Sequence, residues 1–589
     1  MGQAAAAVDA FFREYFALDP VHATDVGEHS HDDRWPALGE PGRLARVAFA
    51  DRWTRELDGL SGETLTVGDR VDRDVLLGQV AAMRFGDSEL REEAWSPLSW
   101  IEFIGSGLFL LLAREFAPLD ARLTSVAARL EGLPAVFDAA RETLGGVPGR
   151  PVSRLHTEAA IEQLPGVTSL IDDALAQGAA DAGSGGASAS VMPRLRAAAS
   201  LAREAVEAFE AHLRDVVLPA SEGDGRLGAD LYGAKLAHNL RDPAMTPAAV
   251  LARAEREYSA VRAEMVRLAR DLWPSWRPSE PMPDDDQAIV RGVLDAVVAE
   301  HPTGDGLVDA CREELARINA FCASTGLIGV PDEPLRISWT PEFLRAFGGA
   351  SLWTPGPLDR HLAADFFITP VPDDWTAEQG ESWLREMNDR QIRVLTIHEA
   401  VPGHYLQGVH GNRCPSLARG VFWSGVFAEG WACYVTQVMI DAGYGADDPA
   451  LALVHWKFYL RAAINAILDV RVHVDGIGED EAVELMVEGG FQEDAEARNK
   501  YRRARLTSTQ LSTYFVGSIG FWDLELTARR RAAATAGDPD GSAAVPDPPL
   551  VGGFGSTPGF TYRDHLEACI AHGAPPLPLL RELVLERGT

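Results

Sequence analysis

The sequence predicts a mainly α-helical fold with one small β-sheet. Apolar residues recur at spacings of three and four over residues 193–217, 247–273 and 284–301, as they do in amphipathic helices. Strand patterns are sparse, and the two clearest, residues 335–339 and 364–371, are short and rich in β-branched and aromatic side chains. Because no period of 20–50 residues is present, a solenoid of repeats is not expected.

Two low-complexity segments predict loops along the chain. Residues 176–191 are rich in Ala, Gly and Ser, and residues 533–558 are rich in Ala, Gly, Asp and Pro. The second segment precedes a last predicted helix near residues 562–587. We place a soft domain boundary near residue 330. A helical N-terminal part would then span residues 1–330, and a C-terminal part, residues 331–589, would carry the site.

The composition indicates a folded protein with an acidic surface. Its 589 residues are 46% hydrophobic and 24% charged, which is ordinary for globular proteins. The net charge of −33 repels phosphate backbones and anionic lipids, so we expect neither nucleic-acid binding nor binding to a membrane surface. The 5 cysteines are widely spaced, and they predict neither a disulfide framework nor a cysteine-type zinc site.

The sequence favours a cytoplasmic location. No window approaches the roughly 20 apolar residues that span a bilayer, and the strongest apolar run, residues 107–113, is typical of buried core. The first residues lack a basic region followed by an apolar block and a cleavage site, so we expect no signal peptide. The small number of cysteines also suits a reducing compartment.

The first candidate for chemistry is a His-Glu pair at the end of a predicted helix. A capping box formed by Thr376 and Gln379 opens this helix, which runs into His398 and Glu399. A His-Glu pair is the first half of the H-E-x-x-H zinc motif, in which two histidines bind the metal and the glutamate activates water. An isolated His-Glu pair is also compatible with ordinary histidines at a helix end.

The second histidine of this motif is displaced. Position 402, where it should stand, is Pro, and the next histidine is His404, six residues after His398. In an unbroken helix the two rings would lie about 120° apart around the axis and could not share an ion. Pro402 and Gly403 favour a break in the helix, which would allow His404 to turn back toward the metal.

A single carboxylate stands in a very apolar helical stretch further along the chain. Glu429 is the one charged residue within residues 420–440. Burying a carboxylate without a partner is costly, and a metal ion is one suitable partner. Glu429 is therefore a candidate third ligand. A buried pair with an arginine, or exposure at a kink near Gly430, would also explain it.

Further polar residues lie on the predicted helices that follow. Asp469 and His473, which follow Arg461 on one helix pattern, are four residues apart and can hydrogen-bond. A histidine oriented by a carboxylate suits a supporting group or a transition-state donor, although a simple pair on the helix surface fits equally. Gln510 and Tyr514 are also four residues apart, and a tyrosine hydroxyl near a metal can donate to an oxyanion. Tyrosine in an apolar helix is more often core.

Taken together, these strings resemble a known bacterial family. The string HEAVPGHYLQ at residues 398–407 and FAEGWACY at residues 427–434 resemble the family called domain of unknown function 885. Residues 11–36 and 560–582 are similar to its opening and its last helix, so the resemblance spans nearly the whole chain. The family is similar in turn to helical gluzincin-type zinc peptidases, neurolysin-like and carboxypeptidase-like enzymes among them, which place the site in a deep central cleft.

The resemblance implies a role for each candidate residue. The metal ligands would be His398, His404 and Glu429, with Glu399 as the general base. Tyr514 would stabilise an oxyanion, with His473 as a second donor, and a strand near residues 364–371 would pair with an extended peptide by edge addition. Three further residues would support the site, namely Gln510 and Arg461 as substrate-binding groups and Asp469 as a group that orients its neighbours.

The function expected from these residues is that of a zinc-dependent hydrolase, a peptidase acting on small peptides. A deep cleft would exclude folded proteins. The same ligands accept Mn, Co or Fe. The segment STQLSTY at residues 508–514 departs from the family pattern, which keeps open a metal-dependent amidohydrolase or lyase acting on a specialised metabolite. The i, i+6 spacing keeps open a non-catalytic binding protein with a degenerate metal site.

Overall fold

The computed structural model describes most of the chain and is mainly helical. It describes residues 3–60, 65–340, 349–372, 375–536, 551 and 555–585. The protein is 72% helical and has one small sheet of three strands. The expectation of a mainly α fold is therefore confirmed.

The chain divides into two compact units. The first comprises residues 1–226 and the inserted segment 355–362, and the second comprises residues 227–354 and 363–589. The soft boundary expected near residue 330 does not coincide with this division, which groups residues 227–330 with the C-terminal unit.

The N-terminal unit is built from helices. They are α1 (Gln3–Leu18), α2 (Pro20–Val26), α3 (Gly39–Asp58), α4 (Val67–Phe85), α5 (Glu92–Trp95), α6 (Pro97–Ala113), α7 (Leu119–Thr143), α8 (Arg154–Gly183), α9 (Met192–His212) and α10 (Leu218–Ala220). Among the described residues no single helix is long and apolar enough to cross a membrane, and one bent pair, Val67–Trp95 with Pro97–Ala113, meets that test by length and composition alone.

The C-terminal unit combines helices with the sheet. Its strands are β1 (Leu335–Trp339), β2 (Ala350–Trp353) and β3 (Ala364–Ile368). Its helices are α11 (Ala229–Leu240), α12 (Pro247–Trp276), α13 (Asp286–Val297), α14 (Leu307–Thr325), α15 (Ala377–Glu386), α16 (Asp389–Glu399), α17 (His404–Arg413), α18 (Leu417–Val421), α19 (Gly425–Asp441), α20 (Ala450–Val470), α21 (Glu479–Gly490), α22 (Asp494–Leu506), α23 (Ser512–Thr535), α24 (Tyr562–Ile570) and α25 (Leu577–Leu585).

The two low-complexity segments, both predicted to be loops, differ in their structures. The expectation of a loop over residues 176–191 is wrong in its first half, because α8 continues to Gly183. Ala and Gln, which favour helix, outweigh the scattered glycines there. The segment 533–558 begins within α23, and its residues 537–550 and 552–554 lie outside the described residues. The last predicted helix is two helices, α24 and α25, separated by a turn.

The small sheet differs from its predicted role. Its strand order is β1–β3–β2, with β1 parallel and β2 antiparallel to β3. Because β3 is the central strand, both its edges are already paired, and the peptide addition expected at residues 364–371 has no edge there. The buried side chains of β3, Phe366 and Ile368, pack in one core cluster with Met387 and Ile392 at the start of α16. The sheet thus supports α16, the helix that carries His398.

A histidine holds the inserted segment 355–362 within the N-terminal unit. The His29 ring lies 2.9 Å from Asp32 and 3.0 Å from Asp359, measured from its two nitrogens to the carboxylate oxygens. The ring also stacks on Phe116 at a centroid distance of 3.7 Å. Burial lowers the pKa of His29, but hydrogen bonds to both carboxylates and their charges outweigh burial and raise the pKa to about 9.

This arrangement predicts a pH-dependent stability. Since the pKa of His29 rises from 6.5 in the unfolded chain to about 9 in the folded one, its stabilisation is fully present below pH 6.5 and is lost as the pH rises through 9. We expect His29→Gln to lower the free energy of unfolding at pH 6 and to have a much smaller effect at pH 9.5. Urea denaturation at the two pH values measures this, and an equal effect at both would contradict it.

Candidate metal centre

The two candidate histidines stand on either side of a helix break. The helix α16 ends at Glu399, and α17 begins at His404 after the four residues 400–403. The Gly403 N–H turns back to donate to the Ile397 carbonyl at 3.0 Å. Because Pro402 has no N–H and its ring would clash with the preceding turn, the helix cannot continue through this position. The break predicted from Pro402 and Gly403 is therefore present.

Two features hold the break in its shape. The Trp431 indole N–H donates to the Pro402 carbonyl at 2.8 Å, so a side chain of α19 fixes the connection. A Cβ at Gly403 would lie only 1.8 Å from the His398 carbonyl oxygen and 2.4 Å from that of Ile397. No residue with a side chain fits at position 403 without moving the backbone.

The break brings the predicted ligand atoms together. The Nε2 atoms of His398 and His404 lie 3.8 and 3.6 Å from Glu429 Oε2, and the ligand atoms of the three residues lie within 4.8 Å of one another. Tetrahedral zinc with ligands at about 2.0–2.1 Å requires separations of about 3.3–3.5 Å between them. Two imidazoles and a carboxylate are also the donor set of many catalytic zinc sites, so the residues fit the ion.

The charges around these atoms suit a cation. Burial, together with the charge of His404, lowers the pKa of His398 to about 3, so this imidazole is neutral. Burial also lowers the pKa of His404, but hydrogen bonding to Glu429 and the charges of Glu429 and Glu399 raise it to about 9. Burial raises the pKa of Glu429, and the two histidines with the Tyr514 hydroxyl outweigh it and lower the pKa overall. The three side chains thus offer a cation one carboxylate and two imidazole nitrogens.

Glu429 reaches this position because two helices pack very closely. The helices α19 and α23 cross at Gly430 and Gly517, where a Cβ on Gly430 would lie 2.2 Å from the Gly517 carbonyl carbon. A Cβ on Gly517 would lie 2.1 Å from the Val426 carbonyl oxygen. The contact places Tyr514 of α23 beside Glu429 of α19. The partners of this partly buried carboxylate are thus two histidines and a tyrosine rather than an arginine.

Glu399 and Tyr514 have protonation states that suit their predicted roles. Burial raises the pKa of Glu399 to about 7, against the opposing effects of the His404 charge and a backbone N–H from Leu352 in β2. Burial and then the charge of Glu429 raise the pKa of the Tyr514 phenol, which therefore keeps its proton. The site offers one group able to accept a proton near neutral pH and one able to donate a hydrogen bond.

His473 does not join this group. Its Nδ1 accepts the Leu227 N–H at 3.3 Å, and its Nε2 lies 2.8 Å from both the Ala504 and Thr507 carbonyl oxygens. The ring also stacks on Tyr232 at 5.3 Å. Because backbone groups occupy both nitrogens, no N–H is left for a substrate oxyanion, and the role of second donor is not supported by this geometry.

Asp469 likewise supports a turn rather than the ligands. Its carboxylate accepts the Thr509 N–H at 3.1 Å, the Ser512 N–H at 3.0 Å and the Ser512 hydroxyl at 2.7 Å. These three hydrogen bonds fix the turn before α23. Asp469 therefore holds the start of α23, the helix that carries Tyr514, and it acts on Tyr514 only through that helix. Among the residues that the structure describes, it hydrogen-bonds none of the three candidate ligands.

The two predicted substrate-binding residues are both engaged with other side chains. Gln510 accepts a hydrogen bond from Arg503 at 3.0 Å, and hydrogen bonding between Gln510 and the Tyr514 phenol lowers the pKa of that phenol against the effect of burial. Arg461 pairs with Glu386 at 2.8 Å and also with Glu496. Gln510 thus lies beside the candidate centre, whereas Arg461 belongs to a buried cluster of ion pairs.

The fold and the site define a mainly helical protein with a candidate His-His-Glu metal centre. The chain belongs to the bacterial proteins of unknown function called DUF885, whose family model matches residues 20–584. It is similar to a structure described as a putative lipoprotein of unknown function from Shewanella oneidensis, with 29% identity, a TM-score of 0.82, and 99% of this chain and 100% of that chain covered.

A second solved structure shares the fold. A structure described as a putative lipoprotein from Colwellia psychrerythraea is 15% identical, with a TM-score of 0.75, and the match covers 99% of this chain and 98% of that one. No curated protein matches the chain.

Several residues that shape the centre were missed from the sequence. Trp431 and Gly517 had no assigned role, and β2, which carries Leu352, was not predicted. Trp431 lies two residues after Glu429, and a tryptophan next to a candidate ligand is a signal that could have drawn attention to it. For Gly517 the available signal was a glycine inside an apolar helix, which often marks close packing.

The break predicts that Gly403 is required for metal binding. We expect Gly403→Ala to lower zinc affinity at least tenfold, because its methyl group would displace His404 relative to His398. Crowding of this kind also costs about 1–3 kcal/mol of stability. Competition with a fluorescent zinc chelator measures the affinity. Gly411→Ala in α17 is a matched control, since nothing lies within 4 Å of its Cβ position, and equal affinities for the two variants would contradict the prediction.

Proposed function

We propose that this protein is a zinc-dependent hydrolase that cleaves small peptides. The observation that carries the proposal is the convergence of His398 Nε2, His404 Nε2 and a Glu429 carboxylate oxygen within 4.8 Å. Glu399 is a carboxyl group with a pKa raised to about 7, and the charges of His404 and Glu429 both act on it. The i, i+6 spacing, which motivated the reading as a degenerate site, is accommodated by the break at residues 400–403.

The roles follow from the protonation states. A zinc ion held by the three ligands supplies Lewis acidity, which acidifies water and polarises a carbonyl group. Glu399 accepts the proton of the attacking water and passes it to the leaving amine, a task that suits a group titrating near neutral pH. Tyr514 donates its hydroxyl hydrogen to the oxyanion. Trp431 and Asp469 hold the backbone segments that position His404 and Tyr514.

A cytoplasmic location remains part of this proposal. The acidic composition and the few buried cysteines fit it, whereas the two similar structures are described as putative lipoproteins. Fractionation of cells that express the native gene decides between the two: protein in the soluble cytoplasmic fraction supports the proposal, and protein in a membrane fraction contradicts it.

The proposed function requires a bound metal ion. We expect about one zinc ion per chain in protein purified without chelators, and its loss in Glu429→Ala, because that change removes one of three ligands. Elemental mass spectrometry measures the content. Glu488→Ala, at an exposed position on α21, is the control that should keep the metal. Protein that stays metal-free after addition of zinc would rule the centre out.

The second prediction concerns Glu399. We expect Glu399→Gln to keep its zinc and to lose about 10²–10⁴-fold in peptide hydrolysis, the usual contribution of a general base. A peptide library assayed beside a panel of small amide metabolites gives the substrate class. Cleavage of metabolites alone would favour the amidohydrolase or lyase reading. Unchanged activity in the variant, or no activity in zinc-loaded wild type, would favour the binding protein.

A further inference from the structure

A cavity in the C-terminal unit lies apart from the candidate metal ligands. Its volume is about 650 Å³, and none of the three ligands lines it. Helices α13, α15 and α20 form its walls, and the apolar side chains of Leu294, Val298 and Phe491 face it. Pockets for small molecules typically measure about 300–1,000 Å³ and combine apolar walls with a few polar groups. The size and lining therefore fit a small organic ligand.

The cationic and acidic residues that line this cavity differ in their exposure to solvent. The half-buried lining residues include four cations, Arg277, Arg291, Arg385 and Lys457, and one carboxylate, Glu386. The exposed lining residues include four carboxylates, which are Asp295, Glu378, Glu381 and Glu493. The interior of the cavity is cationic and its rim is acidic.

Of the three interior arginines, Arg277 pairs with Glu280 at 3.2 Å, whereas Arg291 and Arg385 lack carboxylate partners among the described residues. Arg385 donates to the Asp295 backbone carbonyl at 3.4 Å. Arg291 donates to the Val487 carbonyl at 2.9 Å and lies over the Phe491 ring, 5.8 Å from its centroid. Each guanidinium has five N–H donors, so both keep donors for a further acceptor.

Lys457 belongs to a cluster of three cations and two carboxylates. Lys457 lies 3.8 Å from Glu386, which Arg461 binds at 2.8 Å. Arg461 also binds Glu496, which lies 3.6 Å from Lys500. Three cations thus share two carboxylates. Burial and then the charge of Arg461 lower the pKa of Lys500 to about 7, so this ammonium group is only weakly held in its charged form.

We propose that the cavity binds a small zwitterion with an apolar side chain, an α-amino acid or a dipeptide with an apolar C-terminal residue. Its carboxylate contacts Lys457, Arg291 and Arg385. Its amine faces the acidic rim, and its side chain packs on Phe491. A bound carboxylate adds a negative charge beside the half-buried cluster of three cations and two carboxylates, and charge-assisted hydrogen bonds to guanidinium groups are among the strongest available in proteins. The site is separate from the metal centre and does not depend on the proposed hydrolysis.

Calorimetric titration tests each part of this ligand. The titrant is phenylalanine, and the comparison compounds are phenylalaninamide, which lacks the carboxylate, and N-acetylphenylalanine, which lacks the charged amine. We expect each to bind at least tenfold more weakly than phenylalanine. Glycylphenylalanine, titrated into Glu429→Ala to prevent turnover, separates the two sources: tighter binding than phenylalanine identifies a dipeptide, and equal or weaker binding identifies a free amino acid.

Two variants locate the site. Lys457→Met and Arg385→Met should each weaken phenylalanine binding about tenfold, and Arg256→Met, at an exposed position on α12, should leave it unchanged. Circular dichroism confirms that each variant is folded, and either of the first two suffices for the test. The proposal is overturned if phenylalanine does not bind at millimolar concentrations, if the amide binds equally well, if neither folded variant weakens binding, or if Glu429→Ala abolishes it.

Discussion

The candidate centre depends on the place where the chain leaves one helix and enters the next. In a continuous helix the rings of His398 and His404 would point about 120° apart, and no metal could join them. Four residues without helical structure remove this rotation, and their path is set by the absence of a side chain at Gly403 and by the hydrogen bond from Trp431. The same Trp431 lies on the helix that carries Glu429. One helix therefore supplies a ligand and fixes the other two.

A second constraint is the close crossing of α19 and α23. Two glycines, Gly430 and Gly517, allow backbone contact there. This contact places Glu429 and Tyr514 side by side in surroundings that would otherwise be unfavourable for a carboxylate. An unpaired charge buried in this way would cost several kcal/mol, and the two histidines offset that cost before any metal binds. The close packing of α19 against α23 therefore determines which polar groups surround Glu429.

The sequence predicts the helices well, and it also singles out the three side chains that the fold brings together, because both depend on local pattern. Helical periodicity located α9, α12 and α13, and the His-Glu pair with a lone buried carboxylate located the centre. Contacts between distant segments were not predictable in this way. The i, i+4 spacing of Asp469 and His473 suggested a hydrogen bond between them, but the fold directs Asp469 to Thr509 and Ser512. It directs His473 to the backbone at Leu227, Ala504 and Thr507. The strand β2 was missed because four residues carry too little pattern.

The helix α20 joins these features into one structure. Its Phe458 packs edge-on against His398, with 5.4 Å between the ring centroids, while the adjacent Lys457 lines the cationic cavity. One turn later, Arg461 forms ion pairs with Glu386 and Glu496. Near the helix end, Asp469 accepts the hydrogen bonds that fix the turn before Tyr514. One rigid helix therefore contributes to both places: Phe458 packs on a candidate metal ligand, and Lys457, the residue before it, lines the cavity.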